Sequence, residues 1–344
     1  MPDSLNNYPM KNTNSQTMLG KLALVVIGMH RSGTSATTGA LRCLGIQLGK
    51  KLYTGHKNIN AKGYFEHSDI ADTNEEALLA MASGWDDILT KPDNWWHSDV
   101  LQPYTAKIRE YIRKDFAKSQ LWAIKDPRVC RLLPWWLDIF KAENVVPHFL
   151  FVVRSPNAVY RSLERRDGIS KEKAYLLWTL HYLEAELWSR GHPRTFMDFD
   201  TFLEAPLASF KKVESNLDLR FPLSPEEAHV CLEQFLDRSL RNHYKEDIQS
   251  ADTPIVALAQ DLHQALLSAV TDGEQALPTH VMISFAQRLD AIQHSLSPLA
   301  VEHIKSVSLA RGKSQLTLNR LVRSWSWLIG KPARMIERWL GRDV

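Results

Sequence analysis

A glycine-flanked segment rich in hydroxyl side chains follows the first apolar run of the chain. It reads Gly28-Met29-His30-Arg31-Ser32-Gly33-Thr34-Ser35. Glycines let the backbone curl so that its N–H groups point at a bound anion, and the N-terminus of a following helix adds partial positive charge. The spacing matches the nucleotide-binding loop G-x-x-x-x-G-K-S/T, except that Thr34 replaces the lysine that reaches the terminal phosphates. The segment therefore predicts a phosphate-binding loop with Arg31 as its cation, and it counts against hydrolysis of ATP or GTP.

An arginine and a serine further along the chain form a second candidate anion site. Arg154 ends the third apolar run, and Ser162 lies on the second turn of the helix that Pro156 helps to start. An arginine and a hydroxyl can converge on one phosphate through a charge-assisted pair and a hydrogen bond. The pair predicts a second phosphate contact, and the alternative is a surface arginine beside a helical serine that bind no ligand.

The segment Lys125-Asp126-Pro127-Arg128 ends the second apolar run. Transfer of a phosphoryl-like group needs an aligned, deprotonated hydroxyl and a neutralised leaving oxygen. Lys125 can contact the bridging oxygen or the acceptor, with His30 and Arg31 approaching from the loop. Because cationic side chains can do this work, no metal site is expected. The alternative is a capped turn whose lysine is solvated.

Four short apolar runs read as buried strands, and each is followed by a helical pattern. The runs cover residues 22–27, 121–125, 148–153 and 194–199, and the helices after them begin near Thr34, Val129, Asn157 and Thr201. Strands that alternate with helices predict an α/β fold with a parallel sheet flanked by helices, because parallel crossovers need the helical connection. Ligands gather at the carboxyl ends of such strands, where the candidate residues lie.

The chain divides into three predicted segments. These are a flexible leader over 1–20, an α/β domain over 21–245 and a helical extension over 250–344. The extension reads as two helices and a final amphipathic stretch, which we expect Pro332 to interrupt. Within the α/β domain, residues 53–118 form a mostly helical insertion.

The composition excludes several classes of protein. With 344 residues, 44% of them hydrophobic and 24% charged, the chain is ordinary for a globular protein. It has neither the apolar run of roughly 18 residues that a transmembrane helix needs nor the layout of a signal peptide, so a cytoplasmic protein is expected. Its cysteines, Cys43, Cys130 and Cys231, form no C-x-x-C pair, which argues against a disulfide framework or a zinc site and fits a reducing compartment.

Basic residues concentrate at the C-terminus. From Lys305 onward nine lysines and arginines stand against two acidic residues, whereas the rest of the chain has 33 basic and 37 acidic residues. A near-neutral body does not suggest nucleic-acid binding, but a basic tail suggests a partner of its own. The amphipathic stretch 318–341 either lies at the inner face of a membrane or packs on the catalytic domain or a partner subunit.

The loop Arg31-Ser32-Gly33-Thr34 resembles the 5′-phosphosulfate loop of sulfotransferases that use 3′-phosphoadenosine 5′-phosphosulfate (PAPS). The arginine form is similar to the carbohydrate and tyrosylprotein branches of that family. The resemblance implies that the 5′ end of PAPS is bound by Arg31, Ser32, Gly33, Thr34 and Ser35, and its 3′-phosphate by Arg154 and Ser162. It covers residues 20–245, including Asp198-Phe199-Asp200 after the fourth strand. The Arg-Lys-Gly motif of the cytosolic branch is absent, and Arg238-Ser239-Leu240-Arg241 is only a vague substitute.

The resemblance also implies the catalytic roles. In the tyrosylprotein and heparan branches a glutamate shortly after the helix of the loop takes the acceptor proton, which favours Glu66 as general base. His67 is the alternative base, because histidine titrates near neutrality, and a helix cap is the other interpretation of Glu66. The tyrosylprotein branch places a functional lysine in the segment of Lys125. Asp86 and Asp87 are interpreted as loop or cap residues.

The family implies a hydroxyl acceptor, and its carbohydrate branch implies a glycan or glycoconjugate. Trp95 and Trp96 could then stack on a sugar face, although tryptophans are more often part of the core. The expected activity is in-line transfer of a sulfuryl group from PAPS, without a metal ion. Two other functions remain open: a kinase-like phosphotransferase, which needs a loop lysine and magnesium carboxylates, and a nucleotide-binding adaptor without turnover that recruits partners through residues 250–344.

Overall fold

The computed structural model describes residues 20–54, 63–236 and 252–339, with side chains as far as residue 319. Its centre is a parallel sheet of four strands in the order β2-β1-β3-β4. The strands are β1 (Lys21–Ile27), β2 (Leu121–Lys125), β3 (Val145–Val153) and β4 (Arg194–Asp198). The predicted α/β class is confirmed. Strand β3 begins earlier than predicted because Val145, Val146 and Pro147 pair with the start of β1.

Helices connect the strands and cover both faces of the sheet. They are α1 (Thr34–Cys43), α2 (Ser68–Ala80), α3 (Gln102–Phe116), α4 (Val129–Ala142), α5 (Pro156–Asp167), α6 (Lys171–Trp188), α7 (Phe199–Glu204), α8 (Pro206–Leu217), α9 (His229–Phe235), α10 (Pro254–Asp272), α11 (Thr279–His294) and α12 (Pro298–Trp339).

Both faces of β1 are buried, which explains its continuous apolar sequence. Val25 and Ile27 face a core with Trp136 of α4 and Trp178 of α6. The alternate residue Val26 faces a second core on the other side of the sheet. A parallel sheet covered by helices on both faces needs such strands, because neither face meets water.

The helices after residue 252 pack on the α/β layer. Val256, Ala259 and Leu262 of α10 belong to the same core as Val25 and Phe151 of the sheet. The predicted leader 1–20, except Gly20, lies outside the described residues, and so does the predicted junction 246–249. The division into an α/β domain and a helical extension therefore stays a prediction.

Helix α12 lies against α2 and the loop that follows it. Gly312 approaches the Leu79 carbonyl so closely that a Cβ atom could not fit, and Arg311 pairs with Asp86 at 3.0 Å. The expected interruption at Pro332 is wrong, because α12 continues to Trp339. The helix there gives up one backbone hydrogen bond. None of the described helices combines the length and the apolar character that spanning a membrane requires.

A disulfide joins Cys43 at the end of α1 to Cys231 on α9, with a Cα–Cα distance of 5.6 Å. The expectation that the cysteines form no disulfide is therefore wrong for this pair. The two residues are 188 positions apart, and only the packing of α9 on α1 brings them together. Cys130 is a buried free thiol.

Candidate active site

The predicted site residues gather at the carboxyl edge of the sheet. Strand β1 lies between β2 and β3, so the loop after β1 is flanked by the ends of both neighbours. Val26 pairs with Lys125, the last residue of β2, and Ile27 pairs with Phe151 near the end of β3. The loop 28–33 therefore enters the space between Lys125 and Arg154.

The phosphate loop makes a tight turn onto the N-terminus of α1. Arg31 and Gly33 have φ angles of 71° and 90°, in the left-handed region that glycine favours. Gly33 is also the N-cap of α1, and a Cβ atom there would overlap the ring of Phe199. Glycine is required at this position both by the backbone conformation and by the aromatic ring against it.

Arg31 joins the loop to the predicted second phosphate site. Its Nε donates to the Ser162 hydroxyl at 2.7 Å, and the Nη1 of Arg154 donates to the Arg31 carbonyl at 2.9 Å. The Arg154 guanidinium also lies 4.9 Å from the centre of the Phe199 ring. Burial lowers the pKa of Arg31, and the positive charges of Arg166 and Arg154 lower it further. The structure therefore brings three guanidinium groups and a hydroxyl together beside the loop.

Lys125 and Glu66 form a buried ion pair on the other side of the loop. The Lys125 Nζ donates to Glu66 Oε1 at 2.7 Å and to the Ser35 hydroxyl at 3.1 Å. The two charged side chains are 1% and 11% exposed. The solvated lysine of the alternative interpretation is therefore not observed. A predicted base, a predicted cation and a hydroxyl of the loop helix are in direct contact.

The residues after Lys125 anchor this pair to α2. Asp126 accepts a hydrogen bond from Asn74 at 2.8 Å and from the backbone N–H of Arg128 at 3.0 Å, so it does cap the turn. Arg128 in turn pairs with Glu75 at 2.7 Å. Burial by itself lowers the pKa of Arg128, but the negative charges of Asp126 and Glu75 outweigh this effect, so that the pKa is raised. Two residues of α2 thus hold the segment from which Lys125 extends.

His67 is turned away from Lys125 and completes the start of α2. Its Nδ1 accepts from the Ile70 N–H at 3.3 Å, and its Nε2 lies 3.0 Å from Asp115. Both ring nitrogens are therefore engaged, Nδ1 in the N-cap of α2 and Nε2 in a contact with Asp115 of α3. The helix-cap role considered for Glu66 is filled by His67.

A group of buried residues beside His30 was not identified from the sequence. The His30 ring packs against Trp85 with centroids 4.5 Å apart and lies 6.3 Å from the ring of His181. The Nδ1 of His181 bonds the Leu177 carbonyl at 2.7 Å, so this nitrogen carries the proton. Within the described part of the chain, the buried Nε2 atoms of His30 and His181 have no hydrogen-bond partner.

Burial keeps both imidazoles neutral at physiological pH. It lowers the pKa of His30 well below the usual value, with a further contribution from Arg128, and lowers the pKa of His181 to about 3. Arg166 lies over the Trp85 ring at 5.5 Å from its centre. The spacing of Ser162 and Arg166, four residues apart on α5, could have revealed Arg166. No local pattern marks His181, which lies inside an apolar helix.

The remaining candidates lie in the loop after α2 and at the end of β4. Asp86 pairs with Lys173 and Arg311, both at 3.0 Å. Asp87 accepts from the Ser83 hydroxyl at 2.7 Å and from the Leu89 N–H at 3.0 Å.

The predicted sugar-stacking tryptophans are half-buried and packed against the core. Trp96 packs edge-to-face against Trp188 with centroids 4.9 Å apart, and Lys91 lies 5.3 Å from the centre of the Trp95 ring.

Asp198 accepts from the Thr201 N–H at 2.8 Å and caps α7. Residues 238–241 lie outside the described residues. In the part of the chain that the structure describes, no three or more His, Cys, Asp or Glu side chains are grouped so that they could bind a metal ion.

No family model matches the chain, and no curated protein matches it. The solved structures that are similar to it include two sulfotransferase domains. The sulfotransferase domain of the Synechococcus PCC 7002 olefin synthase is 15% identical, with a TM-score of 0.37 over 80% of this chain and 95% of that one. The sulfotransferase domain from the curacin biosynthetic pathway is 11% identical, with a TM-score of 0.36 over 71% and 97%. Likeness this remote carries no argument about activity, so the function has to be argued from the site.

Proposed function

We propose that the chain is a sulfotransferase that moves the sulfuryl group of PAPS to a hydroxyl of a carbohydrate or glycoconjugate. The observation that carries this proposal is the contact of Arg31 with Ser162 and Arg154. It joins the loop expected to hold the 5′-phosphosulfate to the pair expected to hold the 3′-phosphate. A donor with two separate anionic ends fits such a site better than one with a single phosphate chain.

The charges beside the loop support an anionic donor. Arg166 and Arg154 lie close enough to Arg31 that their positive charges, after burial, contribute to its lowered pKa. Bringing like charges together in a partly buried site costs free energy that a bound anion returns. Arg31 and the N-terminus of α1 would face the phosphosulfate, and Arg154 with Ser162 the 3′-phosphate.

The Lys125–Glu66 pair supports the chemical step. In this proposal Glu66 accepts the proton of the acceptor hydroxyl, and Lys125 stabilises the charge that grows on the leaving phosphate oxygen. Two N–H groups of the Lys125 ammonium bond Glu66 and Ser35. The third can face the leaving oxygen. His30, neutral and at the loop, can exchange a hydrogen bond with the transferred group.

Glu66 is a better candidate for the base than His67. The carboxylate of Glu66 contacts the predicted catalytic lysine, whereas the two nitrogens of His67 contact the Ile70 N–H of α2 and Asp115 of α3. Replacing Glu66 with Gln would keep the hydrogen bond to Lys125 but remove the proton acceptor. A turnover loss of about 100-fold or more, with donor affinity retained, is the expected result.

The acceptor class and the tail are further parts of this proposal. For stacking on a sugar the sequence suggested Trp95 and Trp96, but it is the ring of Trp85 that packs against His30 of the phosphate loop. We therefore include Trp85 as a candidate for contact with the acceptor. We further propose that the basic stretch 318–341 holds the enzyme at an anionic membrane surface near a lipid-linked glycan. Binding to vesicles with and without anionic lipid tests this: binding that ignores the anionic lipid would contradict it.

Calorimetry tests the donor site directly. Wild type should bind 3′,5′-adenosine bisphosphate, with ATP and magnesium much weaker, and Arg154→Ala should lose at least about tenfold in affinity because it removes a charge-assisted contact. Arg161→Ala is the matched control, since Arg161 lies on α5 next to Ser162 and its ion pair with exposed Glu164 is long, at 3.5 Å. Equal loss in both variants would indicate a general charge effect.

Turnover tests the remainder. Labelled PAPS should modify glycans in a panel that also contains phenols and peptides. Preferred binding of ATP with magnesium would favour the kinase-like function instead. Bisphosphate binding without turnover, unchanged by Glu66→Gln, would favour the adaptor.

A further inference from the structure

Helix α9 depends on a single covalent link to α1. Cys43 is the last residue of α1, the helix that begins at the phosphate loop, and Cys231 lies on the exposed side of α9. Helix α9 has seven residues, of which Leu232 is the buried one. So short a helix with so little buried surface gains little from packing, and such segments open easily. The disulfide therefore contributes much of what keeps α9 in place.

The end of α9 supports the segment that carries Glu66. Phe235 packs edge-to-face against Phe65, with ring centroids 5.5 Å apart. Gly39 of α1 lies so close to the Phe235 ring that a Cβ atom would overlap it. Phe65 has a φ of 59°, which a bulky residue keeps only where its surroundings hold it. Phe235 is one of the side chains that hold it.

The contacts close a ring around the base. From α1 the ring passes through the disulfide to α9, and through Phe235 and Phe65 to Glu66. It returns through Lys125, which bonds both Glu66 and the Ser35 hydroxyl of α1. The disulfide is the covalent step of this ring between α1 and α9, and the other contacts named between elements are non-covalent. Reducing the disulfide therefore opens the ring.

We propose that the Cys43–Cys231 disulfide is a redox-controlled clamp, which in its oxidised form holds α9 and Phe235 against Phe65 and thereby positions Glu66. The clamp itself follows from the contacts. Its effect on turnover rests on the function proposed above. Phe235 is in this view a positioning residue that acts on Glu66 through Phe65.

Opening the clamp is a thiol–disulfide exchange. The thiolate of a dithiol such as dithiothreitol attacks the Sγ of Cys231, the exposed residue of the pair, and Cys43 leaves as a thiolate that takes up a proton. The second thiol of the reagent then displaces Cys231 by forming a cyclic disulfide, and Cys231 is protonated. The protein gains two electrons and two protons, and the reagent is oxidised.

Hydrogen–deuterium exchange of the full chain, oxidised and after dithiothreitol, tests the clamp. Reduction should add two hydrogens to the intact mass and speed amide exchange at least about tenfold in 229–235 and 63–67. Exchange in β3 should not change. Cys231→Ser should behave like reduced wild type in both conditions. Phe235→Ala should keep the disulfide by mass and yet exchange fast at 63–67 in either state, because it removes the contact and not the link.

Turnover separates the clamp from the proposed function. Reduction should lower sulfuryl transfer from PAPS at least about tenfold, since a displaced base loses its contribution, while bisphosphate affinity stays within about twofold because Cys43 lies at the far end of α1. No disulfide after treatment with oxidised glutathione, or identical exchange of 63–67 in both states, overturns the clamp. If amide exchange changes on reduction as expected, but neither the oxidised nor the reduced protein transfers a sulfuryl group, the result supports the clamp and overturns the proposed function.

Discussion

Replacing Lys125 with Met tests whether the Lys125–Glu66 pair is as buried as the structure indicates. The Lys125 side chain is 1% exposed and Glu66 11% exposed, with 2.7 Å between their charged atoms. Removing the ammonium leaves a carboxylate that is nearly cut off from water and has lost its partner. Breaking a buried pair in this way costs roughly 3–5 kcal/mol, and the residual exposure of Glu66 favours the lower end, about 3 kcal/mol.

A double-mutant cycle isolates the pair from the other effects of each change. Glu66→Gln by itself should cost about 1–2 kcal/mol, because the amide oxygen can still accept from Lys125. The double variant should be more stable than the sum of the single losses predicts, by about 2 kcal/mol, since neither charge is then left alone. Urea unfolding followed by circular dichroism measures all four free energies. Lys51→Met is the control: its pair with Asp69 is 62% exposed at the lysine and screened by water, so its loss of stability should be small beside that of Lys125→Met.

A loss below about 1 kcal/mol in Lys125→Met, or a coupling energy below about 0.5 kcal/mol, would refute the reasoning. Either result would mean that the site is open to water and that its charges are screened.

Two further predictions concern residues around the loop. Burial lowers the pKa of His181 to about 3, so the unfolded chain takes up a proton that the folded chain refuses as the pH falls below 6.5. Between pH 7 and pH 5 this should remove about 2 kcal/mol of stability. His181→Gln should lose that part of the pH dependence, and an unchanged slope in urea unfolding would contradict the burial of this imidazole. Gly33→Ala should cost roughly 1–3 kcal/mol of stability, because it combines a left-handed backbone with overlap on Phe199, and should abolish calorimetric binding of the bisphosphate. Gly191→Ala is its control, with a φ of 83° but no atom within 4 Å of the added Cβ, so normal bisphosphate binding there would separate the overlap from the strain.

The sheet and the position of the loop were predictable because their signals are local. A buried parallel strand is a continuous apolar run, and the residue at its end follows directly in the chain. The sequence therefore placed Arg31, Lys125 and Arg154 at strand ends without any knowledge of strand order. It also identified Glu66 and Ser162 as candidates, although their roles remain proposals.

Which of these residues touch was decided by the tertiary structure. Arg31 meets Ser162 across 131 positions and Lys125 meets Glu66 across 59, because β1 lies between β2 and β3. The same dependence on packing explains the disulfide that the spacing of the cysteines argued against. Local patterns report the conformation of a segment and which of its faces is buried, whereas contacts between distant segments depend on how the strands and helices are arranged. The residue types along the chain indicated the chemistry of this site, and the packing of the helices on the sheet brought those residues into contact.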